Sequence, residues 1–260
     1  MTGCRSDSPW LRWYRPPSDG EIRLLCMPPA GSAASFYRTW VMRMPKDVAF
    51  GVVQYPGREN RLAEPPLQDL EALADGAAKA IGLAGPGPVA LLGHSLGAAV
   101  AYEVALRLSR PAVLFVSGCA APSVHLARSK RVWDDPDILE DLRRMGGPNR
   151  AALDHHGLLA LVLPALRADY NLTERYTPRQ DVTLDCPIVA LHGDQDQEVR
   201  LEEMEPWRAV TTGSFERRLF HGDHFFPIQC RDQVIGAIEE ALCRLGLLGG
   251  DAAVVEPSDG

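Results

Sequence analysis

A serine set between two glycines, in Gly93-His94-Ser95-Leu96-Gly97, is the clearest chemical signal in the chain. It fits G-x-S-x-G, the spacing in which a serine hydroxyl serves as a nucleophile on a tight strand-to-helix turn. The flanks agree: an apolar run from Val89 to Leu92 precedes it, and a stretch rich in alanine and leucine follows to Leu108. A strand that turns so sharply brings the residues two before and two after the serine together. A side chain at Gly93 or Gly97 would clash. Ala98 and Ala99 keep the next turn slim where it meets the sheet. The start of the following helix favours developing negative charge. The plainer reading is a strand-to-helix turn with a capping serine.

A serine hydroxyl needs a base. The chain has seven histidines. His94 adjoins the serine but points away from it on the turn; His125, His155 and His156 fall in a helical region; His192 falls inside a strand-like run. His221 and His224, in "FHGDHFFP", lie between the last strand-like run and the last helical one, where a loop reaches the C-terminal sheet edge. His224 is favoured because it lies further into that loop. The imidazole needs an orienting acid, and "LHGDQDQEV" offers Asp194 and Asp196. Asp196 is favoured, since Asp194 sits at the strand end and suits a turn. Asp223 adjoins His224, but neighbouring side chains on extended chain point apart. Acyl transfer also needs N–H donors for an oxyanion. Leu96 follows the nucleophile, and Ala30 lies in the small-residue loop "CMPPAGSAASFY", whose prolines fix the turn and cannot donate. That loop also reads as an ordinary Pro/Gly connection.

The elements that must hold these groups are legible as a rhythm. Continuous apolar runs occur at Ile22–Pro29, Val48–Gly57, Pro88–Ser95, Ala112–Ala121, Pro187–Asp194 and Phe215–Asp223. Continuous rather than alternating runs suit parallel strands buried on both faces. Helical patterns intervene at Leu67–Ile81, Leu96–Leu108 and Cys230–Leu245. The sum is an α/β fold with a mostly parallel central sheet flanked by helices. Chain order Ser95, Asp196, His224 is that of the α/β-hydrolase fold. Residues 123–178 carry no strand-like run and read either as a helical lid inserted over the sheet or as a plain helical excursion. The expected organisation is an N-terminal, partly irregular segment (1–20), one domain (21–248) and a disordered tail (249–260).

Composition narrows the function. Net charge is -7 and charged residues are 23% of the chain, against a general nucleic-acid binder. No apolar run reaches membrane-spanning length, and the first residues lack the apolar core of a signal peptide. Cytoplasmic placement is expected, with neither membrane nor nucleic acid as partner. The six cysteines form no CxxC pair and no metal-ligand spacing, so no metal or cofactor is expected.

In its ordered set of motifs, "PPAGSAASFY", "QYPGREN", "GHSLGAAVAYEVA", the Asp196 loop and "GDHFFP", the chain resembles the type II thioesterases. These stand-alone hydrolases accompany polyketide synthases and nonribosomal peptide synthetases. The likeness runs from about Ile22 to Leu245. It implies hydrolysis of acyl thioesters on the phosphopantetheine arm of an acyl or peptidyl carrier protein, to clear stalled or misprimed units. It implies Ser95 as nucleophile, His224 as base, Asp196 as its partner, and Ala30 and Leu96 as oxyanion donors, and it turns the 123–178 insertion into a lid. Departures are Ser32 and Asp223, where the family commonly has glycine, and His192, where glycine is frequent. None removes a catalytic group.

Two further expectations concern the lid. Leu159, Val162, Leu163 and Leu166 share a wide apolar face that lines an acyl channel, or else only packs on the core. Arg128, Lys130 and Arg131 offer an acidic carrier a basic docking patch, or else pair with Asp134, Asp135, Asp137, Glu140 and Asp141. Rival functions are an esterase of small free esters and a non-catalytic binding protein of the same fold.

Overall fold

The computed structural model describes residues 8–128 and 130–249. The tail expected to be disordered lies outside them from residue 250 onward. The strands are β1 Leu11–Arg15, β2 Ile22–Met27, β3 Val48–Val53, β4 Val89–His94, β5 Val113–Ser117, β6 Ile188–Gly193 and β7 Phe215–Phe220. They form one sheet of order β1-β3-β2-β4-β5-β6-β7, parallel throughout except for β1, which runs antiparallel to β3. Every residue of β2 to β6 is buried, as continuous apolar runs require. β1 and β7 stand at the two edges and are half-exposed. Strand β1, "LRWYR", was not among the expected strands: an edge strand needs no continuous apolar run, and this one carries two arginines.

The helices are α1 Leu70–Leu83, α2 Leu96–Arg107, α3 Pro122–Ala127, α4 Asp135–Met145, α5 His156–Arg175, α6 Phe226–Gln229 and α7 Arg231–Arg244. Helix α1 begins three residues later than its apolar spacing suggests. Asp69 caps it there, its carboxylate accepting the Glu71 N–H, which ends the favourable region for helix start. Leu67 packs on the core from outside the helix. One core lies under α1 and α2, built on Leu91, Val100, Tyr102 and Trp207. The other lies under α7 and a 3₁₀ segment at Ala34–Met42, built on Phe50, Phe115, Tyr37 and Ile238.

The 123–178 region is helical, as expected. Helices α4 and α5 share a small core of their own, Ile138, Leu142, Leu166 and Tyr170, with Trp133 edge-on to Tyr170. Asp134 caps α4 by accepting the Asp137 N–H, and Pro136 sits in the first turn. This layer closes over the C-terminal ends of the strands, where Ser95 and the loops after β2, β6 and β7 converge.

Candidate active site

The turn at Ser95 takes the strained form its glycines suggest. Ser95 has φ 55° and ψ −122°, rare for a residue with a side chain. A Cβ on Gly93 would lie 2.0 Å from the Gly97 carbonyl oxygen, and one on Gly97 would lie 2.1 Å from that of Met27. No methyl group fits either gap. The second contact presses the start of α2 against the end of β2, next to the loop that holds Ala30. The strain is held by the surrounding sheet: the Ser95 N–H donates to the Ser117 carbonyl at 2.8 Å.

Ser95, Leu96, Ala30 and His224 line one cavity of about 270 Å³, roofed by lid residues Trp133, Met145 and Tyr170. Asp196 stands behind His224. Its Oδ2 is 2.8 Å from His224 Nδ1, and its Oδ1 accepts the N–H groups of Glu198 (2.8 Å) and Val199 (3.2 Å). The two side chains are 0% and 8% exposed. Burial pushes the Asp196 carboxyl up, but the hydrogen bond and charge of His224 and the two backbone N–H groups outweigh it, so it stays below its ordinary value. An ionised acid on Nδ1 leaves Nε2 as the basic nitrogen.

The two rejected candidates pair with each other. Asp194 accepts from Gly222 N–H at 3.0 Å and lies 3.1 Å from His221 Nδ1, with side chains 47% and 80% exposed. Asp223 turns away from His224 to accept the Phe225 N–H.

Residues 22–242 match the family model of the thioesterase domain. The chain belongs to the thioesterase family. It is 39% identical over 258 residues to Thioesterase PikA5 of Streptomyces venezuelae, covering 95% of this chain and 90% of that protein. Among solved structures it is similar to the type II thioesterase BorB from the borrelidin biosynthetic cluster, with TM-score 0.82, 36% identity, and 90% and 97% of the two chains covered. RedJ, a thioesterase from the prodiginine biosynthetic pathway of Streptomyces coelicolor, matches with TM-score 0.78 and 38% identity over 87% and 88%. The protein is thus a thioester hydrolase on an α/β-hydrolase fold.

Within the thioesterase, the lid residues separate. Val162 lines a second cavity of about 590 Å³, bounded by the loop after β2, by Leu158 and Leu161 of α5, and by Ile228. Leu163 packs against the lid core, and Leu166 is fully buried within it. Leu159 is half-buried. The basic residues are engaged: Arg128 with Glu203 at 2.8 Å, Arg131 with Asp137 at 2.9 Å and over the Trp133 ring, and Lys130 with the Tyr176 carbonyl and Thr177 Oγ1. Arg128 also borders the Ser95 cavity.

Two features at the site escape the one-dimensional reading. His94 is fully buried, its ring centroid 5.0 Å from that of His224 and its Nδ1 3.0 Å from Ser117 Oγ. Burial first, then the neighbouring His224 imidazole, pushes its pKa down to about 3, so it stands behind His224 as a neutral ring. His192 is likewise buried in β6, and burial lowers its pKa although Asp196 pulls the other way. The second feature is Arg58, buried against Asp169 of the lid. Both depend on contacts between residues far apart in the chain, which spacing does not encode.

Proposed function

We propose that this thioesterase hydrolyses acyl groups from the phosphopantetheine arm of acyl or peptidyl carrier proteins, clearing stalled or misprimed units in polyketide or nonribosomal peptide assembly. The observation that carries this is the buried Asp196–His224 hydrogen bond on the wall of the cavity that holds Ser95. Likeness to PikA5 and BorB supports the pathway assignment. Such a role fits a cytoplasmic setting; among the described residues no helix is long and apolar enough to cross a membrane.

His224 Nε2 takes the proton of Ser95 Oγ as that oxygen attacks the thioester carbonyl carbon. Negative charge develops on the carbonyl oxygen, where the N–H groups of Ala30 and Leu96 stabilise it. Collapse breaks the carbon–sulfur bond, and His224 returns the proton to the departing thiol. Water then attacks the acyl-serine, again deprotonated by His224, and the carboxylic acid leaves with Ser95 restored. The acyl chain runs along the lid, with Val162 at its wall and Leu159 and Leu163 beside it. The carrier approaches by the cavity rim that Arg128 borders, with Lys130 and Arg131 nearby.

The test compares an acyl-carrier protein, the matching acyl-N-acetylcysteamine thioester and a p-nitrophenyl ester. The proposal expects the highest kcat/KM on the carrier and loss of all turnover in Ser95→Ala. Preference for the free ester would make the protein an esterase of small esters, and no turnover of any of the three would make it a binding protein.

A further inference from the structure

The loop that carries Ala30 is built on two prolines and a glycine. Pro28 and Pro29 supply no N–H. The Ser32 N–H donates to the Pro29 carbonyl at 3.1 Å across the turn, and Gly31 at its bend has φ +68°. Glycine makes that bend accessible and also makes it soft.

Anchors come from outside the loop, and two of them are the buried side chains of Arg58 and Asp169. Asp169, on lid helix α5, accepts the Gly31 N–H at 2.7 Å through Oδ2. The same carboxylate holds Arg58 by two bonds, Nη1 to Oδ2 at 2.6 Å and Nη2 to Oδ1 at 3.0 Å. Arg58 Nη1 also donates to the Ser32 carbonyl at 3.2 Å. The guanidinium lies over the Tyr55 ring, whose hydroxyl reaches the Pro28 carbonyl at 3.4 Å. The loop is thus gripped before, at and after Gly31. The two charged side chains are 7% and 0% exposed. Burial disfavours the Arg58 charge, but Asp169 more than restores it.

A buried ion pair is weak evidence for stability, since well-packed apolar side chains of similar volume often do as well. An apolar pair cannot, however, accept an N–H or hold a carbonyl. What Arg58 and Asp169 supply that packing cannot is the placement of the turn's backbone. Placement matters there: a small shift of a group that must meet the reacting atoms costs about a hundredfold in rate, and loss of one oxyanion donor costs about a hundredfold to a thousandfold.

We propose that Arg58 and Asp169 are a positioning pair for the oxyanion turn, through which lid helix α5 holds the backbone immediately after Ala30, at Gly31 and Ser32, in the geometry that thioester hydrolysis requires. The inference rests on the proposed roles of Ser95 and Ala30. It makes the lid part of the catalytic geometry as well as a cover over the acyl group.

The decisive variant is the double replacement Arg58→Met with Asp169→Leu, which exchanges the ion pair for apolar bulk. Positioning predicts a protein that still folds cooperatively, its melting temperature lowered no further than the loss of partners at the Gly31 N–H and the Ser32 carbonyl requires. It predicts a kcat on acyl-N-acetylcysteamine lowered by about tenfold to a hundredfold, with KM within about twofold. An acyl boronic acid, which binds Ser95 as a tetrahedral oxyanion mimic, weakens by the same factor as kcat, while a non-hydrolysable amide analogue of the substrate binds unchanged. A folded double variant with wild-type kcat overturns the inference. If it does not fold, Asp169→Asn and Arg58→Lys decide by the same readouts. There, unchanged kcat, or equal weakening of boronate and amide analogue, overturns it. Wild-type protein that hydrolyses no thioester would overturn the functional reading and this inference with it; active wild type with unaffected variants overturns this inference alone.

Discussion

Replacing Asp196 with asparagine isolates what the acid does. The side chain is fully buried and makes three hydrogen bonds, one to His224 Nδ1 and two from backbone N–H groups. An amide has one acceptor oxygen, so it must choose. With its oxygen toward Glu198 and Val199 it keeps two bonds, and its NH2 faces His224. His224 satisfies that contact by moving its proton to Nε2 and accepting at Nδ1. With the amide reversed, two N–H donors face an NH2, and each buried donor left unpaired costs about 1–3 kcal/mol. The first orientation wins, and it costs no hydrogen bond. Under the proposed mechanism the variant therefore keeps its stability and loses its base, because Nε2 now carries a proton. The same change in the Ser-His-Asp triad that serves as the general template lowers kcat by about ten-thousandfold, which corresponds to about 5.4 kcal/mol of barrier. We expect a loss of that order in kcat/KM on an acyl thioester, with an unchanged urea midpoint. Asp194→Asn is the control. Its carboxylate is exposed and serves Gly222 and His221, so a loss within about threefold is expected, as for surface changes generally. Asp194→Asn as damaging as Asp196→Asn, or Asp196→Asn retaining more than a few per cent of activity, would refute the reasoning.

Stability should fall in mild acid partly through His94. Its folded pKa of about 3 lies below the ordinary 6.5, so the unfolded chain takes up the proton first. The contribution is complete above pH 6.5 and is lost as pH falls toward 3, about 2 kcal/mol of it by pH 5. Urea unfolding at pH 7.5 and 5 should show a smaller drop for His94→Gln, and equal drops would remove His94 as the cause. Val162→Trp, which fills part of the 590 Å³ cavity, should shift preference toward shorter acyl chains in a chain-length series. A uniform loss would mean that this wall does not touch the chain. Leu166→Ala, in the lid core, should instead cost about 2–5 kcal/mol in unfolding free energy. Replacing Arg128, Lys130 and Arg131 with alanine should lower kcat/KM on the carrier substrate alone and flatten its salt dependence. Their exposed ion pairs are worth only about 0–1 kcal/mol each and yield readily to a partner's charge. Equal effects on carrier and small thioester would discard the patch.

The sheet and the Ser95 turn were legible in the sequence because both follow from local rules. Strands β2 to β6 are buried on both faces and so must be continuously apolar. Gly93 and Gly97 must lack side chains because the backbones they approach are already in place. His224 and Asp196 could be ranked by depth in their loops, since depth beyond a strand end decides reach. Edge strand β1 and the start of α1 were less legible: half-exposure removes the apolar run, and a single cap at Asp69 overrides the spacing of Leu67. Tertiary structure decided that the two remaining candidates, His221 and Asp194, meet each other. It set His94 as a neutral ring behind His224, divided one apolar face of α5 between a cavity and the lid core, and brought Asp169 to Gly31 and Arg58 across 138 and 111 positions of chain. The spacing of residues along a chain specifies the faces of its helices and strands. The partner each face meets is settled by the closing of the whole fold, when buried polar groups must find one another or go unsatisfied.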